Sequence, residues 1–191
     1  MLIIRPTVSL FKRMKIPPIK GDGGFKSTTV LGDWYAKELV LGREQFILCV
    51  SSITRLSVVM KAAPYVRFPE KLPRAVEEVL KSIGVPQLLI DKELGEMEPC
   101  RLFKTCDRSI IGTLTESSKM LKHYQSINHL PSETLKIAAI LNKVPSSKIL
   151  ECYPRDEALK AFGLKKTQRV APLQIVEPER SSKYGHLRVV K

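Results

Sequence analysis

The chain has 191 residues, 43% of them hydrophobic and only 6% aromatic, so its core must be built mainly from Leu, Ile and Val. No apolar run approaches the ~20 residues of a membrane span, and the opening MLIIRPTVSLFKRMK lacks the apolar centre of ~7–15 residues that a secretory signal needs, so the sequence reads as cytoplasmic with no membrane partner. The net charge of +13 sits at the ends: residues 1–30 carry six cations and one acid, residues 131–191 twelve and six, and residues 31–98 are near neutral, a distribution that favours DNA, RNA or an acidic protein as partner.

In chain order, Leu2 to Arg5 reads as a short strand. Val8 to Lys15 reads as an amphipathic helix capped by Thr7, with Val8, Leu10, Phe11 and Met14 on its apolar face. Pro17, Pro18, Gly21, Gly23 and Gly24 then mark a loop. Trp34 to Leu41, Gln45 to Val50 and Leu56 to Lys61 are three strands joined by short turns, most simply an antiparallel meander. Helical spacing follows: Leu72, Val76, Val79, Leu80 and Ile83 share a face, Pro73 fits a first turn and Gly84 fits the stop. Pro86 to Met97 predicts a second helix whose acids Asp91, Glu93, Glu96 and Glu98 read as a solvated face. Arg101 to Thr105 returns to strand-like spacing, and Thr113 with Glu116 forms a capping-box pattern for a helix to about Gln125.

Three segments, LGDWYAKELVLGREQFILCVSSITR (31–55), FPEKLPRAVEEVL (68–80) and FKTCDRSIIGTL (103–114), together resemble an uncharacterised bacterial family, one of the domains of unknown function. The resemblance covers roughly residues 1–125, and its most specific parts are LGDWYA and KTxxRSxxG. It implies a small α+β domain in a bacterial or phage-like setting and no established activity. In that family the positions held here by Cys106 and Asp107 are usually Asn, so a ligand bound through those amides would be held differently by this chain.

The first candidate site is the loop carrying Lys104, Thr105, Arg108 and Ser109, with Asp33 and Trp34 as a wall. Free N–H groups at a helix start attract anions, and two flanking cations add to that, so a phosphorylated small molecule is the fitting ligand. The competing reading is local: Asp107 and Arg108 pair, and the hydroxyls satisfy loop backbone groups.

The second is TLKIAAILNKVPSSKILECY (134–153). Its small and apolar residues Ala139, Val144, Ile149 and Cys152 fall where a helix-turn-helix packs, with a second helix starting at Pro145 and presenting Ser146, Ser147 and Lys148 to a groove. Lys165 and Lys166 extend this basic surface. Lys143 stands where the turn usually has Gly, and a plain helical hairpin fits the same pattern.

Metal and covalent chemistry are weaker fits. Cys100, Cys106, His123 and His129 offer zinc ligand types at loose spacing, so no metal site and no cofactor are expected. The four cysteines contain no CxxC, which argues against a disulfide framework. There are three histidines and no GxSxG, Walker or HExxH pattern; a Cys106–His123 pair is conceivable, but no catalytic residue is assigned.

The sequence therefore predicts an α+β fold: an antiparallel sheet with helices packed to one side over residues 1–128, and a small basic C-terminal appendage over 129–191 with a strand at Gln168 to Val176. The leading function is a non-enzymatic binding module for nucleic acid or an acidic protein. A phosphorylated-ligand site at Lys104–Ser109, or a toxin–antitoxin-type interaction component, are the alternatives.

Overall fold

The structure is a computed structural model that describes residues 1–17, 25, 27–127 and 129–165. Lys166 and the strand expected at Gln168 to Val176 lie outside the described residues.

The first strand, β1 (Leu2–Pro6), is buried along its whole length and leads into α1 (Val8–Met14). Thr7 holds the N-cap position, but its hydroxyl lies 3.2 Å from the Ser9 hydroxyl and caps no backbone N–H. The meander follows as β2 (Trp34–Leu41), β3 (Glu44–Ser51) and β4 (Ser57–Lys61), antiparallel throughout.

The full sheet is mixed, in the order β4-β3-β2-β1-β5, with β5 formed by Cys100–Leu102. The expected purely antiparallel sheet is thus corrected: β1 lies parallel to β2, with Ile4 opposite Trp34, and parallel to β5, with Ile4 opposite Leu102. Parallel partners need long crossovers, and here these run through α1 on one side of the chain and through the two helices before β5 on the other.

Those two are α2 (Phe68–Ile83) and α3 (Gln87–Glu96). The start of α2 lies earlier than expected: Pro69 takes the first turn and Pro73 falls inside the helix. The buried stripe of Phe68, Leu72, Val76, Val79, Leu80 and Ile83 against the core offsets the lost backbone bond. Gly84 ends the helix at φ 90°, its N–H reaching the carbonyls of Leu80 and Lys81. In α3, Glu93 departs from the solvated face assigned to it. It is 2% exposed, and its carboxylate accepts from the N–H groups of Val30 (2.7 Å) and Leu31 (3.1 Å), fastening the approach to β2.

The longest helix, α4 (Arg108–Ser126), starts five residues before the capping-box position. Asp107 is the true cap, accepting from Ser109 N–H (2.7 Å) and Ile110 N–H (3.4 Å). Thr113 sits mid-helix, its hydroxyl donating to the Ser109 carbonyl at 3.2 Å. Gly112 costs the helix about 1 kcal/mol relative to Ala, but Ile110, Leu114 and Leu121 bury their side chains on the sheet and outweigh it.

Helices cover both faces of the sheet rather than one. Arg13 of α1 pairs with Glu38 of β2 at 3.3 Å, while Tyr35 of β2 meets Cys106, just before α4. Positions three apart on a strand point to opposite faces. This explains why β1 and the second half of β3 are buried without alternation.

The chain ends its described course with α5 (Thr134–Leu141) and α6 (Pro154–Ala161). Ile137, Ala138 and Leu141 of α5 and Ala158 and Leu159 of α6 belong to the same buried cluster as the sheet. Residues 145–153, expected as the second helix of a helix-turn-helix, form turns instead. Cys152 takes a left-handed φ of 65°, the Ser146 N–H closes the loop onto the Cys152 carbonyl, and Pro154 keeps Tyr153 out of helical geometry. Asp156 lies in the first turn of α6, behind the N-cap residue Tyr153.

Asn142, just after α5, finishes the sheet edge. Its amide oxygen accepts from the Ser57 N–H at 2.7 Å and its amide nitrogen donates to the Ser57 carbonyl at 2.9 Å. One side chain thus does for β4 what a further strand would do.

Candidate functional site

The two sequence motifs meet in space through Arg5 at the end of β1. Its Nε donates to Asp33 at 2.7 Å and its Nη1 to the Lys104 carbonyl at 3.0 Å, while the guanidinium lies 5.9 Å from the Phe103 ring centre. Burial opposes the Arg5 charge, but the bond to Asp33, the Asp33 charge and the neighbouring Cys106 and Tyr35 together outweigh it, so the group is held firmly protonated. Arg5 was absent from the sequence-based site, and a single Arg in an apolar strand gives no signal that it will bridge two loops.

LGDWYA is explained residue by residue. Leu31 is buried, and its N–H is held by Glu93. Gly32 has φ 74°, and a Cβ there would stand 2.5 Å from the Ser52 hydroxyl, so only glycine fits. Asp33 receives Arg5, and its own N–H donates to Ser52 Oγ at 2.8 Å. Trp34 is buried in the core rather than forming a wall of the loop, and its indole N–H has no partner. The Tyr35 hydroxyl lies 3.1 Å from Cys106 Sγ. Burial first, then that contact, push the Tyr35 phenol above its ordinary range.

At KTCDRS the amides opening α4 are already taken. The Asp107 carboxylate sits on Ser109 and Ile110 N–H and brings its own negative charge. Lys104, Arg108 and Ser109 are exposed and Thr105 is half-buried. Cys106 is bonded to Tyr35, whereas His123 lies in the last turn of α4, fifteen residues past Arg108 and so about 22 Å along the axis. No Cys106–His123 pair forms. All four cysteines are free thiols.

The residues of α4 divide by direction. Ile110, Leu114, Ser118 and Leu121 face the core. Arg108, Lys119 and Lys122 are exposed and fall within about 60° of one another around the helix, over about 21 Å of its length. None of the three makes an ion pair or hydrogen bond with a described residue. The acids Glu38, Glu44, Glu77, Glu78 and Glu133 are by contrast paired with Lys or Arg elsewhere.

A cleft of about 520 Å³ lies along a further flank of α4, lined by Thr113, Glu116 and Ser117, by Arg55 of the β3–β4 connection, by Ser57 at the start of β4, and by the turn at Ser146–Lys148. Ser146, Ser147 and Lys148 thus line a cavity rather than a recognition helix, and Lys165 is exposed past α6. No described helix is long and apolar enough to cross a membrane.

This is an α+β domain: a mixed five-stranded sheet clasped by helices, with its two most distinctive motifs joined at one end by Arg5. The chain belongs to the DUF6933 family of domains of unknown function, which it matches over residues 3–157. The match runs past the 1–125 covered by the motifs and takes in α5 and the start of α6. No curated protein and no solved structure matches the chain.

Proposed function

We propose that the domain is a non-enzymatic binding module for a polyanion, engaged along the outer face of α4, with nucleic acid as the first partner and an acidic protein surface as the alternative. The observation that carries this reading is the run of Arg108, Lys119 and Lys122 on one exposed helical face without acidic partners. Lys104, exposed just before the helix, extends the same basic track. A charge of +13 over the whole chain adds long-range attraction for such a partner. Thr115, on the same side of the helix, adds a neutral hydroxyl between the cations.

Backbone-directed contacts of this kind neutralise phosphates and release counterions, so affinity falls steeply with salt. Binding of the full chain to mixed labelled DNA and RNA pools at low ionic strength tests it. Saturable, salt-sensitive binding supports the reading; no binding to either pool removes the nucleic-acid version and leaves an acidic protein as the partner.

A further inference from the structure

We propose that the cleft between α4, Arg55 and the Ser146–Lys148 turn is a separate binding site for a small organic anion: a carboxylate or phosphate head held by Arg55, with an apolar body lying against Met120 and Leu141. The site is distinct from the polyanion face of α4 and does not depend on it.

Arg55 carries the argument. It is 8% exposed, and its Nε and Nη1 are enclosed with no hydrogen-bond partner among the described residues. Two enclosed donors without acceptors are costly, because their hydrogen bonds to water are lost and not replaced. The backbone is strained at the same residue: Arg55 has φ 59°, in the left-handed region that non-glycine residues rarely enter. An unusual backbone conformation and two enclosed, unpaired donors at one position point to a ligand-binding role for Arg55.

No described neighbour supplies that partner. Burial works against the Arg55 charge, and Asp107 and Tyr35 oppose this only in part. The Asp107 carboxylate is turned onto the Ser109 and Ile110 amides, and among the described residues no carboxylate oxygen comes within ion-pair distance of Arg55. Arg155, next in the chain to cleft-lining Pro154, likewise has an enclosed Nε with no partner.

The lining fixes the ligand class. Arg55 and Lys148 are its cations and Glu116 its one acid, so the cavity is net positive. A guanidinium fork matches two oxygens of a carboxylate or phosphate, and Ser117 and Ser147 offer hydroxyls nearby. Met120, Leu141, Val144, Pro145 and Pro154 give the cleft an apolar stretch of wall, with Ser57, Thr113 and Ser146 completing it. A volume of about 520 Å³ suits a small organic molecule and is too confined for a nucleic-acid strand in duplex form.

The test is a titration of the full chain, isotopically labelled, with phenyl phosphate, phenylacetate, inorganic phosphate and uncharged benzyl alcohol, followed by amide and Arg side-chain resonances. Saturable shifts at Arg55, Ser117 and Ser146–Lys148 with an aromatic anion are expected, with benzyl alcohol weaker by about tenfold or more. Arg55→Asn tolerates the left-handed backbone and should weaken binding by about tenfold or more. Should that variant not fold, Lys148→Glu on the exposed rim keeps the question open to test and should weaken binding several-fold. Replacing Arg108, Lys119 and Lys122 by Ala should leave it unchanged, which separates this site from the polyanion face. No saturable shift with either aromatic anion overturns the proposal, as does binding that neither variant weakens. Inorganic phosphate binding as tightly as phenyl phosphate would overturn the apolar half of it.

Discussion

Replacing Asn142 by Leu keeps the branched shape and the number of heavy atoms and removes both hydrogen bonds to Ser57. Ser57 is 3% exposed and Asn142 2%, so water does not replace the lost partners. The Ser57 N–H and carbonyl, now held at 2.7 and 2.9 Å, would each be left buried and unpaired. Each costs about 1–3 kcal/mol, so the substitution should cost roughly 2–6 kcal/mol. In a chain of this size that lowers the melting temperature by roughly 4–24 °C. Urea unfolding followed by circular dichroism measures it directly. Asn142→Asp sharpens the test, because an ionised carboxylate still accepts from the Ser57 N–H but faces the Ser57 carbonyl with a negative charge. Its folded-state acid is thereby favoured in the protonated form, so this variant should regain stability as pH falls and lose it as pH rises. An Asn142→Leu variant within about 0.5 kcal/mol of the parent would refute the account of how the sheet edge is closed.

Three further outcomes follow from the same geometry. Asp107→Ala removes the α4 cap and should cost about 1 kcal/mol in urea unfolding, with Asp107→Asn recovering most of it; equal loss in both would show that the cap is not the cause. Asp33→Ala leaves the buried Arg5 charge without its carboxylate and should cost about 3–5 kcal/mol, a value that a surface ion pair would not approach. Burial raises the Glu93 carboxyl above its ordinary value of about 4.5, against the opposing pull of the Val30 and Leu31 amides. The native state therefore binds that proton more tightly than the unfolded chain. Its contribution to stability is full below about pH 4.5 and is lost as pH rises through the folded value. A pH series of urea midpoints should show this slope in the parent and lose it in Glu93→Gln; identical slopes would remove Glu93 as its source.

Local signals were legible and pairings were not. Trp34 and Leu41 bound β2 where the alternation of the sequence places them, and Gly84 stops α2 at the position its φ demands. Both are decided by neighbours in the chain. The start of α4 was misplaced because two caps compete: Thr113 with Glu116 matches a pattern, whereas Asp107 makes the bonds, and Gly112 reads as a loop residue until the packing of Ile110 and Leu114 is seen. The parallel placement of β1 depends on crossovers that no short segment announces. The sequence singled out Lys104, Arg108 and Asp33 from their motifs, whereas Arg5 and Arg55 gave no signal. Their roles come from burial and from contacts with residues tens of positions away, as Asn142 does for Ser57. The helix expected at Pro145 failed for a reason visible only afterwards, since Cys152 and Pro154 fold that stretch into turns.

The central claim, polyanion binding along α4, is tested most directly by the salt dependence of nucleic-acid affinity in the parent and in a variant with Arg108, Lys119 and Lys122 replaced by Ala. Those residues are exposed, so the variant should fold as the parent does, checked by its melting temperature. Each phosphate contact contributes about 0.9 to the slope of log affinity against log salt on duplex DNA, and about 0.7 on a single strand. The account predicts a slope shallower by about 2–3 in the triple variant, with weaker binding at low salt. An unchanged slope and affinity would contradict it and move the interface away from this helix.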